Sequence, residues 1–195
     1  IMLKMRSTCL IVLMVLTITL LIEKHSYQKE EKVLRESLGT LEISFDFTRQ
    51  RTIASNQYAV WIEDAKGNVV KTLSVTAFTG RGGYRRRPDC LPTWVQKARP
   101  QELPKIDAIT SATPKSGPQV YTWDGQDEEG NFVTPGVYRF IIEATLYWSN
   151  RVIFTGTFTY GGESTDTIPI TVERFGGREN EDMITNVKAR YVKRG

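Results

Sequence analysis

The stretch Leu41-Glu-Ile-Ser-Phe-Asp-Phe47 decides the fold class. Apolar Leu41, Ile43, Phe45 and Phe47 alternate with polar Glu42, Ser44 and Asp46, a period of two that fits a strand with one face in the core. Working outward, Tyr58-Ala-Val-Trp-Ile62 is a second strand. It is followed by the turn cluster Ala65-Lys-Gly-Asn68 and a returning strand, Val69 to Val75. Further along, Val137 to Trp148 and Val152 to Tyr160 read as long strands joined at Ser149-Asn150-Arg151, and Thr167 to Glu173 and Met183 to Val192 add two more. Seven or eight strands with turn signals between them, and no helix-length periodic segment, predict an all-β, immunoglobulin-like antiparallel β-sandwich over residues 39–195. Phe45, Phe47, Val60, Ile62, Phe140, Ile142, Phe154 and Phe158 are its expected core.

One long stretch departs from the strand pattern. Between Thr79 and Gln119 the glycines and prolines, among them Gly80, Gly82, Gly83, Pro88, Pro92, Pro100, Pro104 and Pro114, forbid any long regular element. Tyr84, Trp94 and Ile106 in the same stretch are groups that need packing, so it reads as an ordered excursion with one helical turn at Pro92 to Lys97. This Gly/Pro-rich loop is where a functional site is expected.

The N-terminus has a different character. Lys4 and Arg6 precede the apolar run Cys9 to Ile22, the order of a secretory signal or signal anchor. As a helix this run is about 21 Å long against roughly 30 Å of hydrocarbon, short for a full span. Residues 23–27 lack a small-x-small cleavage site, which favours an uncleaved anchor, with the basic end inside and the rest of the chain outside the cytoplasmic membrane. The expected organisation is therefore a signal anchor or signal peptide at 1–22, a charged stalk at 23–38 and the sandwich at 39–195. The membrane is the partner of the N-terminal helix. The formal charge of +4 over 195 residues is split between the N-terminal segment and the domain. It lacks the dense basic face of a nucleic-acid binder, so nucleic acid is not an expected partner.

The residue inventory excludes the commonest catalytic sets. The single histidine, His25, lies in the stalk, so neither a Ser-His-Asp triad nor a His-based zinc site can be built in the domain. No catalytic residue and no metal ligand is assigned, and the chain is not read as an enzyme. Cys90 is the only cysteine beyond the apolar run, and a thiol without a histidine is not read as a nucleophile. Trp123-Asp-Gly-Gln-Asp-Glu-Glu-Gly-Asn131 crowds carboxylates as a calcium loop does. Its spacing is not that of the EF-hand, and with Val133-Thr-Pro-Gly-Val-Tyr-Arg-Phe140 it reads as a hairpin turn between strands. The W-D-G-x-D-x-x-G-x-x-V-x-P-G-x-Y-x-F run resembles the end of immunoglobulin-like modules in secreted proteins.

Two segments carry possible ligand chemistry. Gly80-Arg-Gly-Gly-Tyr-Arg-Arg-Arg87 places Arg81, Arg85, Arg86 and Arg87 on a glycine-spaced loop, suited either to an anionic ligand or to pairing with Asp89 and Glu102. Asp107-Ala-Ile-Thr-Ser-Ala-Thr113 resembles the motif at which extracytoplasmic flavoproteins receive covalent FMN from a flavin transferase. Asp107, Thr110, Ala112 and Thr113 match it, and Thr113 stands at the acceptor position. Ser111 replaces a glycine and Pro114 follows the acceptor, so a Ser/Thr-rich turn is the competing account.

From about Thr40 to Val192 the chain resembles the family called domain of unknown function 2271, predicted periplasmic proteins. The carrying segments are Ile53 to Asp64, Lys71 to Leu73, Arg87-Pro-Asp89, Leu91-Pro-Thr-Trp94, Asp107 to Gly117, Tyr121 to Asp124, Asn150-Arg151 and Met183 to Val187. The resemblance implies an exported β-domain and association with membrane flavin- or iron-reducing systems, with no established activity. The expectation is a membrane-tethered, non-catalytic accessory module, with FMN on Thr113 or anion capture by the arginine loop as alternatives.

Overall fold

The computed structural model describes residues 18–24, 37–50, 56–103, 106–147, 150–176 and 183–194. The chain divides into two compact units, Ile1–Glu36 and Ser37–Gly195. In the first, residues 18–24 are helical (α1) with exposed side chains. Most of the expected anchor and stalk, residues 1–17 and 25–36, lies outside the described residues. Among the described residues, no helix is long and apolar enough to cross a membrane.

The second unit is a two-layer sandwich. Its strands are β1 (Gly39–Phe47), β2 (Gln57–Asp64), β3 (Val69–Thr76), β4 (Thr110–Ser111), β5 (Gly117–Trp123), β6 (Gly136–Tyr147), β7 (Asn150–Tyr160), β8 (Ile170–Phe175) and β9 (Ile184–Lys193). They form a three-stranded sheet in the order β5-β1-β9 and a six-stranded sheet in the order β4-β3-β2-β6-β7-β8. Each described pairing is antiparallel except β3 with β4, where Val75 meets Thr110 and Thr76 meets Ser111 in parallel. A parallel partner needs a crossover connection, and the Gly/Pro-rich excursion supplies it. It contains the short helices α2 (Ala77–Gly80), α3 (Pro92–Ala98) and α4 (Ile106–Ile109), with 3-10 turns at Gly83–Arg85 and Pro100–Glu102.

The alternation in β1 buries Leu41, Ile43, Phe45 and Phe47 between the sheets, and all eight expected core residues belong to that cluster. Aromatic rings fill one end of it. Trp123 packs on Tyr138, Phe158 and Tyr160 at centroid distances of 5.4, 5.8 and 5.1 Å. The Tyr160 hydroxyl donates to Asp124 O at 3.2 Å and accepts from Leu38 N at 3.0 Å. Gly125, at φ +95°, lies so close to this ring that a Cβ would stand 1.9 Å from the Tyr160 hydroxyl oxygen. Only glycine fits there, on both counts.

The structure moves two boundaries. The β6–β7 ladder runs to Tyr147↔Asn150, so Asn150 and Arg151 lie within β7 and not in the turn. Thr165 and Ile168 hydrogen-bond to β9 of the other sheet, and the chain enters β8 only after Pro169, at Ile170. The largest difference is a second core on the outer face of the six-stranded sheet. There Ala59, Trp61, Val75 and Ile141 are covered by Leu91, Trp94 and Ala98 of the excursion.

Phe140 is fully buried between the sheets. Phe140→Ala is expected to cost about 3–5 kcal/mol, read as a lower urea midpoint.

Candidate functional site

The excursion needs fastening, because a seven-residue helix is not stable alone in water. Leu91, the residue before α3, has φ +52° and offers no capping side chain, and Pro92 follows at the first helical position. The next amides therefore need an acceptor from elsewhere. Glu143 on β6 supplies it: Thr93 N donates to Oε1 at 3.1 Å and Trp94 N to Oε2 at 2.8 Å. Leu91 N donates to Thr145 Oγ1 at 3.1 Å, and Trp94 Nε1 to Thr72 Oγ1 at 3.2 Å. Glu143 is 0% exposed, with Arg151 NH1 3.8 Å from its Oε1. Burial pushes its carboxyl above the ordinary carboxylate range, and the two amides and Arg151 offset only part of that shift.

Two further buried polar side chains do similar work. Glu63 on β2, 2% exposed, accepts from Trp61 Nε1 at 2.9 Å, Lys97 Nζ at 2.6 Å and Arg139 NH2 at 2.9 Å. Lys97 lies in the last turn of α3, so this carboxylate ties the helix end to the sheet. Gln57 Oε1 accepts from Thr76 Oγ1, Thr79 N and Thr79 Oγ1 at 2.6, 3.2 and 3.0 Å, which fixes the entry to α2. Sequence reasoning missed all three. The available signal was Tyr58-Ala-Val-Trp-Ile62, which stays apolar without alternating, the mark of a strand buried on both faces.

The expected ligand residues occupy two separate parts of the excursion. Arg81, Arg85 and Arg86 are exposed and Arg87 is half-buried. The Arg85 guanidinium lies 5.8 Å from the Tyr84 ring centroid and that of Arg87 5.9 Å from Phe78. Glu102, one of the acidic partners considered for this loop, is 3.8 Å from Arg99. In the flavin-motif segment Asp107 is exposed on α4, while Thr110 Oγ1 donates to Ile106 O at 2.6 Å. Ser111 is paired with Thr76 in β4, and Thr113 is half-buried just beyond that edge strand. Three carboxylates of the turn after Trp123 accept hydrogen bonds from the chain itself. Asp124 accepts from Gln126 N, Asp127 from Asn131 N, and Glu128 from Thr72 N on β3. Among the described residues, no three His, Cys, Asp or Glu side chains converge as metal ligands. Cys90, within the excursion, is fully buried.

Two cavities flank α3. One, of about 620 Å³, includes Val69, Lys97, Arg99, Glu102 and Glu128 in its lining. The other, of about 250 Å³, is lined by Asp89, Pro92, Arg151, Phe175 and Gly176.

The family model described as predicted periplasmic protein (DUF2271) matches residues 40–174, and the chain belongs to this family. The matched region holds nearly all of β1, β2 to β7, most of β8 and the whole excursion; β9 lies beyond it. Neither the curated proteins nor the solved structures contain a match.

Glu143→Ala leaves the Thr93 and Trp94 amides without their acceptor. The expected cost is about 1–3 kcal/mol for the buried Trp94 amide and less for the half-buried Thr93 amide, measured by urea denaturation. The pH dependence has a definite sign. A carboxyl whose folded pKa is raised contributes stability that is full below its unfolded value and is lost as pH rises through the folded value. Stability curves from pH 4 upward should therefore show the native chain losing more, or gaining less, through this window than Glu143→Gln.

Proposed function

We propose that this member of the periplasmic family is a non-catalytic binding or accessory module, tethered outside the cytoplasmic membrane and serving a membrane redox system of the flavin- or iron-reductase kind. One observation carries the reading. The buried carboxylates Glu63 and Glu143, the groups best suited to acid–base chemistry, spend their hydrogen bonds on Lys97, Arg139, Trp61 and two helix amides. Groups employed in this way serve to hold the excursion to the sheet. The single histidine of the sequence lies outside the domain, which leaves loops and sheet edges as the surfaces offered to a partner. The apolar run Cys9 to Ile22, preceded by Lys4 and Arg6, supports export and tethering. Full-length chain solubilised from membranes is expected to co-purify with a flavin- or haem-containing membrane protein, visible by its absorption spectrum. Turnover of a substrate by the purified chain alone, lost on a single polar substitution, overturns the reading.

A second reading is an electron-transfer protein carrying FMN on Thr113. It is supported by the position of Asp107 to Thr113 beside the short edge strand β4, with Asp107, Ala108, Ser111 and Ala112 exposed. The Thr113 hydroxyl makes no hydrogen bond among the described residues. A hydroxyl not engaged by the described residues, with an acidic residue on the same segment, fits attachment of the FMN phosphate. Ser111, where the motif has glycine, makes that approach tighter. Bound there, FMN would supply one- and two-electron chemistry, and Asp107 and Thr110 would belong to the segment a flavin transferase reads. Coexpression with such a transferase is expected to give an in-gel fluorescent band that survives denaturation and disappears in Thr113→Ala. No band from the native chain, beside a working control substrate, rules it out.

A further inference from the structure

We propose that the cavity beside Arg151 binds a small carboxylic acid that carries a hydroxyl or amino group next to its carboxylate. Arg151 lies near the start of β7 with its side chain 25% exposed. Its guanidinium carbon stands 4.0 Å from the centroid of Phe175 on β8, a stacking contact that fixes the plane of the group. NH1 is directed inward, 3.4 Å from Thr93 Oγ1 and 3.8 Å from Glu143 Oε1. Among the described residues the other donors, Nε and NH2, have no hydrogen-bond partner. The result is a guanidinium clamped along one edge and one face, with the remaining edge still able to donate two parallel hydrogen bonds. That arrangement is pre-organised for a carboxylate, because little side-chain freedom is left to lose on binding.

The same cavity shows why the ligand needs a second group. Asp89, an exposed acceptor, lines it together with Arg151, yet the two side chains form no ion pair. A molecule with an anionic end for Arg151 and a neighbouring donor for Asp89 bridges both walls. Pro92 adds an apolar surface to the lining, and Gly176, at φ +83°, has no room for a side chain beside Asn150. At about 250 Å³ the space is below the usual range for drug-sized ligands, which selects an acid of a few carbons. The proposal concerns a different site from Thr113 and does not depend on the redox reading.

The test is calorimetric titration of the purified full-length chain with L-malate and L-serine as probes, and with acetate as the acid lacking a neighbouring donor. Saturable binding of malate or serine at about 1 mM or tighter is expected, with acetate weaker by roughly tenfold. Arg151→Lys, which keeps the charge and loses the fork, should weaken the better probe by roughly tenfold or more, while its melting temperature reports that the fold is retained. Asp89→Asn should narrow the gap between that probe and acetate. No heat from either probe up to about 10 mM overturns the proposal, as does binding that both substitutions leave unchanged.

Discussion

Everything in this domain follows from β2 having to be dry on both sides. Val60 and Ile62 face the three-stranded sheet, while Ala59 and Trp61 face away from it, and all four are fully buried. A sandwich with only three strands in its second layer can cover one face of a six-stranded sheet and no more. The other face has to be covered by chain that is not sheet, and the excursion between β3 and β5 does this with Leu91, Trp94 and Ala98. Its irregular, proline-rich backbone therefore serves as a third layer, and β4 is the point where that layer rejoins the sheet edge.

Covering a sheet with short helices raises a problem of polar groups. A long helix satisfies most of its own amides; a helix of one or two turns leaves most of them needing acceptors from elsewhere. Glu143, Glu63 and Gln57 solve this from within the sheet, with carboxylate and amide oxygens placed where α3 begins, where it ends and where the excursion starts. The cost of holding Glu143 in a dry site is visible in its raised carboxyl pKa. Its acceptance of two amides is what makes that placement tolerable.

The inter-sheet core was legible because its residues obey a simple period. Phe140 and Ile142, like Phe45 and Phe47, are spaced two apart and point the same way. The covered face was legible only in part: Tyr58-Ala-Val-Trp-Ile62 is apolar on both faces, but Glu63 and Glu143 look like the solvent side of their strands, where carboxylates normally sit. Nothing local to them reveals the Thr93 and Trp94 amides that Glu143 meets from a distant part of the chain. Ser149 and Asn150 favour a turn by residue type, whereas the ladder continues to Tyr147↔Asn150 and puts Arg151 in the strand, lining a cavity with Asp89. The Asp107 to Thr113 segment was recognisable by its residue types alone; its location at the sheet edge required the crossover from β3.

The order β5-β1-β9 has a kinetic side. Gly39 pairs with Lys193 and Glu42 with Arg190, so the first strand of the domain closes against the last. Contacts between residues so far apart in the chain carry a large loop-closure cost and make for slow folding. The smaller sheet lacks one edge until residues 184–193 are in place, and until then the aromatic cluster that includes Tyr191 lacks a wall. Until the last strand is in place the first has only one neighbour, so the smaller sheet forms as a whole or stays incomplete.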